Sequence, residues 1–150
     1  MAAFFAFLHH AAAFTLVAAV AVEFVLINDE LTARRARKIQ IADMVLGVSA
    51  GVLVIVGPLR VHFFEKGEIY YIHSLPFIVK IALFVTVAIL SIYPTVAFLS
   101  WRKAVKQGQA PVVADDKLRR IRMIIHIELA AIAIIVLCAA LMARGIGMIG

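Results

Sequence analysis

Four of the five histidines in this chain are spaced so that they can act together. His9 and His10 lie near the start of the first apolar stretch, His62 ends the second, and His73 precedes the third. Consecutive membrane-spanning helices run in opposite directions, so all four positions fall on one side of a bilayer. Neutral imidazole binds haem iron, copper and zinc, and helical bundles hold such groups between facing helices. The histidines therefore predict a haem or metal site, with simple contact to headgroups or water as the alternative.

Cationic and small residues extend this prediction. Arg60, Lys66 and Lys80 lie on the same side as the four histidines and would supply positive charge for haem propionates or another anion. Gly47 and Gly51 form a GxxxG step in the second stretch. Such a step either allows two helices to pack closely or leaves room for a flat cofactor against the backbone. We therefore include both glycines in the predicted site.

Two further residues are assigned to the opposite side of the membrane. His126 begins the fourth stretch there, about a membrane thickness from the other histidines, and is not expected to share their site. Glu23 lies deep in the first stretch, where a carboxylate is costly unless it is paired. Arg122 is the predicted partner of Glu23, with Asp43 and Arg119 expected nearby. A purely structural ion pair is the favoured interpretation.

The third stretch contains the motif SIYPT, in which Pro94 lies between two hydroxyl side chains. A proline removes one helix hydrogen bond, and neighbouring hydroxyls often satisfy the freed backbone in membranes. Ser91 and Thr95 are expected to serve this purpose. The motif predicts a bend in the helix and no catalytic role.

The elements that position these residues follow from composition. The chain has 150 residues, 65% of them hydrophobic, with a mean hydropathy of +1.05. Four apolar stretches, at about 4–27, 41–64, 75–100 and 123–143, each exceed the roughly 20 residues needed to cross a hydrocarbon core of about 30 Å. The sequence therefore predicts an all-α, integral membrane four-helix bundle, with residues 1–150 as a single transmembrane domain.

The basic residues predict how this bundle is oriented. The net charge is +6, and eleven of the fifteen basic residues lie in the two connections on one side. These eleven are Arg34, Arg35, Arg37, Lys38, Arg102, Lys103, Lys106, Lys117, Arg119, Arg120 and Arg122. Positively charged connections stay in the cytoplasm. Both termini are therefore expected on the extracytoplasmic side, and the partner implied by this pattern is the lipid bilayer, with no nucleic acid.

Other chemistries have no support in the sequence. The chain lacks a phosphate-binding glycine loop, an HExxH motif and a GxSxG motif, which disfavours nucleotide binding and hydrolysis. Its single cysteine, Cys138, lies within the fourth stretch, so no intrachain disulfide and no CxxC site can form.

Three segments resemble a known family. FLHH at the start of the chain, LRVHFFEKGEIYYIHSLPF, and KIALFVTVAILSIYPTVAFLSW together resemble the bacterial membrane family known as DUF2214. More distantly, an early histidine and a lysine early in the third stretch are similar to HemJ-type protoporphyrinogen oxidases and the copper resistance protein D group. HemJ-type proteins bind b-type haem. The resemblance implies that His9 or His10 is a haem ligand and that Lys80 matches the lysine of that family.

The leading hypothesis is a membrane-bound haem b protein. His9 or His10 would lie on one side of the iron and His62 or His73 on the other, for electron transfer or oxidation of a small redox partner such as a quinone. As an enzyme, it would be a haem-dependent oxidoreductase.

Two alternatives remain open. The chain could bind or transport copper or zinc through the same histidines with Glu65 or Glu68. It could also be a non-catalytic subunit or assembly factor, in which GxxxG and the charged residues only mediate helix packing. The chain could in addition form a homo-oligomer.

Overall fold

A computed structural model describes residues 1–63 and 72–149 of the protein. Within these residues the regular structure is helical apart from an isolated β-bridge, which confirms the all-α prediction. The helices are α1 (Ala2–Asn28), α2 (Ala33–Phe63), α3 (Leu75–Ser100), α4 (Arg102–Lys106) and α5 (Asp115–Ala143). Four of them, α1, α2, α3 and α5, are long and apolar enough to cross a membrane, and α4 continues α3 after a turn.

Two helices are longer than their apolar stretches. α2 begins at Ala33 and α5 at Asp115, each eight residues before the predicted span. Both extensions are rich in charged residues. Lys, Arg and Glu have helix propensities as high as those of many apolar residues, but their charges are most stable in water. At the start of α2, the Thr32 hydroxyl accepts a hydrogen bond of 3.2 Å from the Arg35 backbone N–H and caps the helix. The predicted spans are thus the apolar parts of longer helices.

The four long helices pack unequally. α1 packs most extensively along α2, and α3 along α5, while α1 also contacts α5. α2 and α3 meet less closely. We call the end of the bundle that carries the two basic connections the basic end, and the opposite end, with His9, His62 and His73, the histidine end.

The tightest part of the core lies toward the basic end. Ile27, Ile39, Phe98, Ile121 and Ile125 are almost completely buried there, against one another and against their neighbours. Burial of such large side chains is the main force that holds helices in register once the membrane has enforced helix formation. This packed region surrounds the polar groups described below.

The last described residues fold back onto the start of α3 at the histidine end. Leu75 N–H donates to the Gly147 carbonyl at 2.9 Å, and Ile149 N–H donates to the His73 carbonyl at 2.7 Å. Gly147 has φ +88°, and a Cβ there would lie 2.7 Å from Cδ of Pro76. Only glycine fits this conformation and this close approach.

Candidate functional site

The histidine end contains the residues that sequence singles out, and His9 is the most enclosed of its histidines. Its ring is partly buried, and the Cε1 atom lies 3.8 Å from where a Cβ would stand on Gly57 of α2. The rings of His9 and His10 also meet edge to face, with centroids 5.9 Å apart. The His9 ring therefore packs against α2 at a position where the facing residue has no side chain.

The other three histidines of this end are exposed. His10 places Nδ1 2.6 Å from the Ala6 carbonyl of its own helix, and the His62 ring lies 4.5 Å from that of Phe63. His73 precedes α3 and is also exposed.

Across residues 1–63 and 72–149, no three histidine, cysteine or acidic side chains converge as ligands of one metal ion. Glu65, Lys66 and Glu68, which the sequence adds to the site, lie outside the described residues. Haem and metal binding at this end stay predictions.

The cations and glycines of the predicted site also face outward or lie partly exposed. The Lys80 ammonium lies over the Phe77 ring, 5.6 Å from its centroid, and Arg60 is partly exposed. A Cβ on Gly47 or Gly51 would meet no atom within 4 Å. The two glycines therefore do not bring two helices of the described chain together, and that part of the GxxxG prediction is wrong within one chain. Their use for a cofactor stays a prediction.

A group of acids that sequence only partly anticipated lies inside the bundle. Glu23 on α1, Asp43 on α2 and Glu128 on α5 are exposed by only 1%, 8% and 1%. They are close enough for the charge of Glu23 to interact with those of Asp43 and Glu128, and for Glu128 to interact with Asp43. We call these three residues the acid cluster.

Two hydroxyls of α3 bind the acid cluster. Thr95 Oγ1 donates a hydrogen bond of 2.6 Å to Asp43 Oδ1, and Ser91 Oγ donates to Glu128 Oε1. The sequence assigned these hydroxyls to the backbone around Pro94, and that prediction is wrong because both reach across to other helices. Pro94 itself is buried between them. The SIYPT motif is thus the part of α3 that contacts the acids.

The predicted ion pair of Glu23 does not form. Arg122 Nε donates instead to the Ile27 carbonyl at 3.0 Å, close to the end of α1. Glu23 Oε1 and Glu128 Oε2 are buried atoms without a hydrogen-bond partner. In the described part of the chain, the ion pair present is Arg35 with Asp29, a surface contact of 3.3 Å. The acid cluster therefore has no basic partner among the described residues.

An open groove between α2 and α3 leads to the acid cluster. Its volume is about 540 Å³, and its lining includes Asp43, Thr95 and Gly47. Arg37 and Arg102 line it at the basic end. Nearby, Gln40 donates a hydrogen bond of 2.6 Å from Nε2 to the Phe98 carbonyl, so two hydrogen bonds join α2 to α3 beside the groove.

Glu128 is the functional candidate that sequence analysis missed. It lies in the run IIHIELAAIAII, thirteen residues after the start of α5, or about 20 Å along the helix. The same signal that singled out Glu23, an acid surrounded by apolar residues in a span, was present at Glu128. His126, two residues earlier, is exposed, with Nδ1 2.7 Å from the Arg122 carbonyl and its ring 4.7 Å from that of Phe24.

Comparison with known proteins identifies the family. The sequence matches the family described as "Predicted membrane protein (DUF2214)" over residues 1–147, nearly its whole length. The chain therefore belongs to this family, which confirms the family resemblance found in the sequence and agrees with the four candidate spans. No curated protein and no solved structure matches the chain significantly.

Proposed function

We propose that this member of the DUF2214 family is a proton-linked membrane transport protein, in which the acid cluster takes up and releases the coupling proton. The observation that carries the proposal is the pair of glutamates, Glu23 and Glu128, each almost fully buried and each with one carboxyl oxygen that has no hydrogen bond. Ionisable residues inside membrane helices are costly and characteristically mark ion pathways and proton relays.

The absence of a basic partner supports proton binding over a structural role. A structural carboxylate in a membrane is paired with a cation or fully hydrogen-bonded. Arg122, the nearest predicted partner of Glu23, bonds to a backbone carbonyl instead. Three acids that interact with one another and lack such a cation are most stable with fewer negative charges, which a bound proton provides. Gain or loss of that proton changes the charge of the bundle interior.

The arrangement of donors favours a proton over a metal ion. Among the described residues the acids do not converge as a ligand set for one metal. Ser91 and Thr95 each donate a hydrogen bond to one acid, and because a hydroxyl can also accept, each bond can persist when its acid gains a proton. Proton binding requires no common coordination centre.

Access to the cluster supports a carrier in preference to an open pore. The groove between α2 and α3 reaches Asp43 from the basic end. On the other side, the buried residues of α1 between His9 and Glu23 are Ala12, Ala19 and Val20, which offer no polar group. Polar side chains therefore line the groove between Asp43 and the basic end, whereas the buried face of α1 toward the histidine end is apolar.

The orientation follows from the charge pattern. We propose that the basic end faces the cytoplasm of a bacterial cell and that both termini lie outside the inner membrane, because basic connections are retained in the cytoplasm. The acid cluster would then exchange protons with the cytoplasm.

Infrared spectroscopy of the purified protein in lipid nanodiscs tests proton binding, because protonated and ionised carboxyl groups absorb at different frequencies. We expect a protonated-carboxyl band whose intensity changes with pH and which is reduced in both Glu23→Gln and Glu128→Gln. Glu30→Gln, at an exposed position before α2, is the matched control and should leave the band unchanged. A band that is absent, or that neither interior variant alters, would contradict the proposal.

A haem b protein is the second candidate, and the observation that favours it is the position of His9. The His9 imidazole is partly buried and lies against Gly57 of the facing helix, between two helices, where bundles hold such cofactors. The resemblance to HemJ-type proteins that the sequence analysis drew implies the same role, with a small redox partner such as a quinone. A visible spectrum before and after reduction, together with iron, copper and zinc analysis, tests it. A Soret band that His9→Ala abolishes would establish haem, whereas bound copper or zinc would favour the metal alternative.

A further inference from the structure

We propose that the groove between α2 and α3 binds one acidic phospholipid of the surrounding bilayer. Its volume of about 540 Å³ lies within the range of roughly 300–1,000 Å³ that is typical of small-molecule sites. The groove lies where two neighbouring helices pack least closely and is open to the side of the bundle. A molecule that enters it therefore comes from the membrane.

The charge at one end of the groove matches a phosphate headgroup. Arg37 lies four residues after the start of α2, and Arg102 two residues after the end of α3, so both stand at the basic end. Both are exposed, and neither forms an ion pair within the described part of the chain. Guanidinium groups bind phosphate oxygens in pairs, and basic pockets between membrane helices are characteristic sites for acidic lipid headgroups.

The walls of the groove match an acyl chain. Ile41, Met44, Val48 and Leu99 line it and are largely exposed. Gly47 lies among them and presents no side chain, so the groove floor is open at this position. The groove is therefore cationic at one end and apolar along its length, as an anionic amphiphile requires. A soluble anion would use only the arginines.

This inference does not depend on proton binding. Asp43, the acid that lines the groove, is six residues beyond Arg37 on α2, or about 9 Å along the helix axis, and is hydrogen-bonded to Thr95. The headgroup therefore contacts the arginines and not the acid. Glu128→Gln changes the acid cluster at a residue outside the groove lining and is expected to leave lipid binding unchanged, so failure of one proposal leaves the other intact.

Native mass spectrometry of the full chain, released from mild detergent after addition of phosphatidylglycerol or phosphatidylcholine, tests the inference. We expect one phosphatidylglycerol to be retained and phosphatidylcholine to be lost. Each arginine near an anionic lipid strengthens its binding. We therefore expect Arg37→Gln combined with Arg102→Gln to weaken retention of phosphatidylglycerol about 30-fold. The matched control, Arg34→Gln with Lys103→Gln, removes the same charge at the same end but outside the groove and should change retention less than about threefold.

A second pair of variants tests the apolar part of the groove. Gly47→Leu fills the groove and should abolish retention, whereas Gly51→Leu, one turn along and outside the lining, should not. Thermal melting of all variants checks that they fold. Equal loss in the arginine variant and its control, equal retention of both lipids, or displacement of phosphatidylglycerol by inorganic phosphate alone would each overturn the proposal.

Discussion

Polar side chains are arranged differently at the two ends of this bundle. At the histidine end, His10, His62 and His73 are exposed, and Nδ1 of His10 lies 2.6 Å from a carbonyl of its own helix. Toward the basic end, three acids face inward and two of them accept hydrogen bonds from another helix. The density of reactive residue types in the sequence is highest at the first end, whereas burial of polar groups without partners is highest at the second. A buried polar group without a partner lowers the stability of the fold. Its presence is therefore a better indicator of function than the density of reactive residue types.

Packing should differ between the two ends, and the largest effect is expected for Phe98→Ala. Phe98 is 0% exposed in the core near the basic end, so its truncation should lower the free energy of unfolding by about 3–5 kcal/mol. Phe7 is 68% exposed at the histidine end, and Phe7→Ala is the control, with an expected change within about 0.5 kcal/mol. Unfolding in mixed detergent and dodecyl sulfate, followed by circular dichroism, measures both. Equal losses would show that the core is not confined to the basic end.

Replacement of an interior acid should stabilise the protein while removing its function. Glu23→Leu replaces an unpartnered carboxyl by an apolar side chain of similar size, so we expect the free energy of unfolding to rise by about 2 kcal/mol. The infrared band assigned to the acid cluster should decrease in the same variant. A clear destabilisation would indicate that Glu23 has a stabilising partner, and would remove the main contrast between the two ends.

Two threonine variants in α3 test whether a hydrogen bond between helices contributes more to stability than a hydrogen bond within one helix. Thr95→Val leaves the buried Asp43 without its hydroxyl donor and should lower the free energy of unfolding by about 1–3 kcal/mol. Thr86 donates to the Ala82 carbonyl of its own helix at 2.8 Å, so Thr86→Val, in the same helix, should cost less than about 0.5 kcal/mol. The same unfolding assay measures both variants, and similar values for the two would contradict this difference.

The smallest effect is expected at an exposed histidine. His62→Gln should change the free energy of unfolding by less than about 0.5 kcal/mol, because His62 lies on the outside near the end of α2. It should also leave the protonated-carboxyl band unchanged. A large loss of stability or of that band would move the functional centre toward the histidine end.

The fold could be predicted from the sequence because a bilayer allows few structures. Four long apolar stretches in a chain of this composition predict four helices, and the structure has them. Helix ends were less predictable, since charged residues continue α2 and α5 beyond the apolar stretches. The family was predictable from local segments, and the match over residues 1–147 confirms it.

The faces of the helices were much harder to predict. Apolar residues occur all round a membrane helix, so periodicity does not show which side faces inward. Asp43, Gly47 and Gly51 are spaced four residues apart on α2, yet only Asp43 among them is buried. A spacing of four residues therefore does not identify an inward face when the neighbouring helices pack unevenly.

The hydrogen-bond partners of individual side chains were equally hard to predict from the sequence. Arg122 satisfies the Ile27 carbonyl because α1 ends at Asn28, and the last carbonyls of a helix lack donors from their own helix. Thr95 and Thr86 have the same side chain in the same helix but donate to an acid and to a backbone carbonyl, respectively. Only the packing of α3 against α2 and α5 decides between these outcomes.

Proton binding by the acid cluster is tested most directly by site-resolved carbon NMR. The protein carries labelled glutamate carboxyl groups in nanodiscs, and spectra are recorded over a range of pH. Glu23→Gln and Glu128→Gln assign the two interior signals, and Glu30 provides an exposed reference in the same spectrum. We expect at least one interior carboxyl to have the chemical shift of a protonated acid where Glu30 is ionised, and to lose its proton as pH rises. If Glu23 and Glu128 are both ionised wherever Glu30 is ionised, the acid cluster does not bind the proton and the proposed function is wrong.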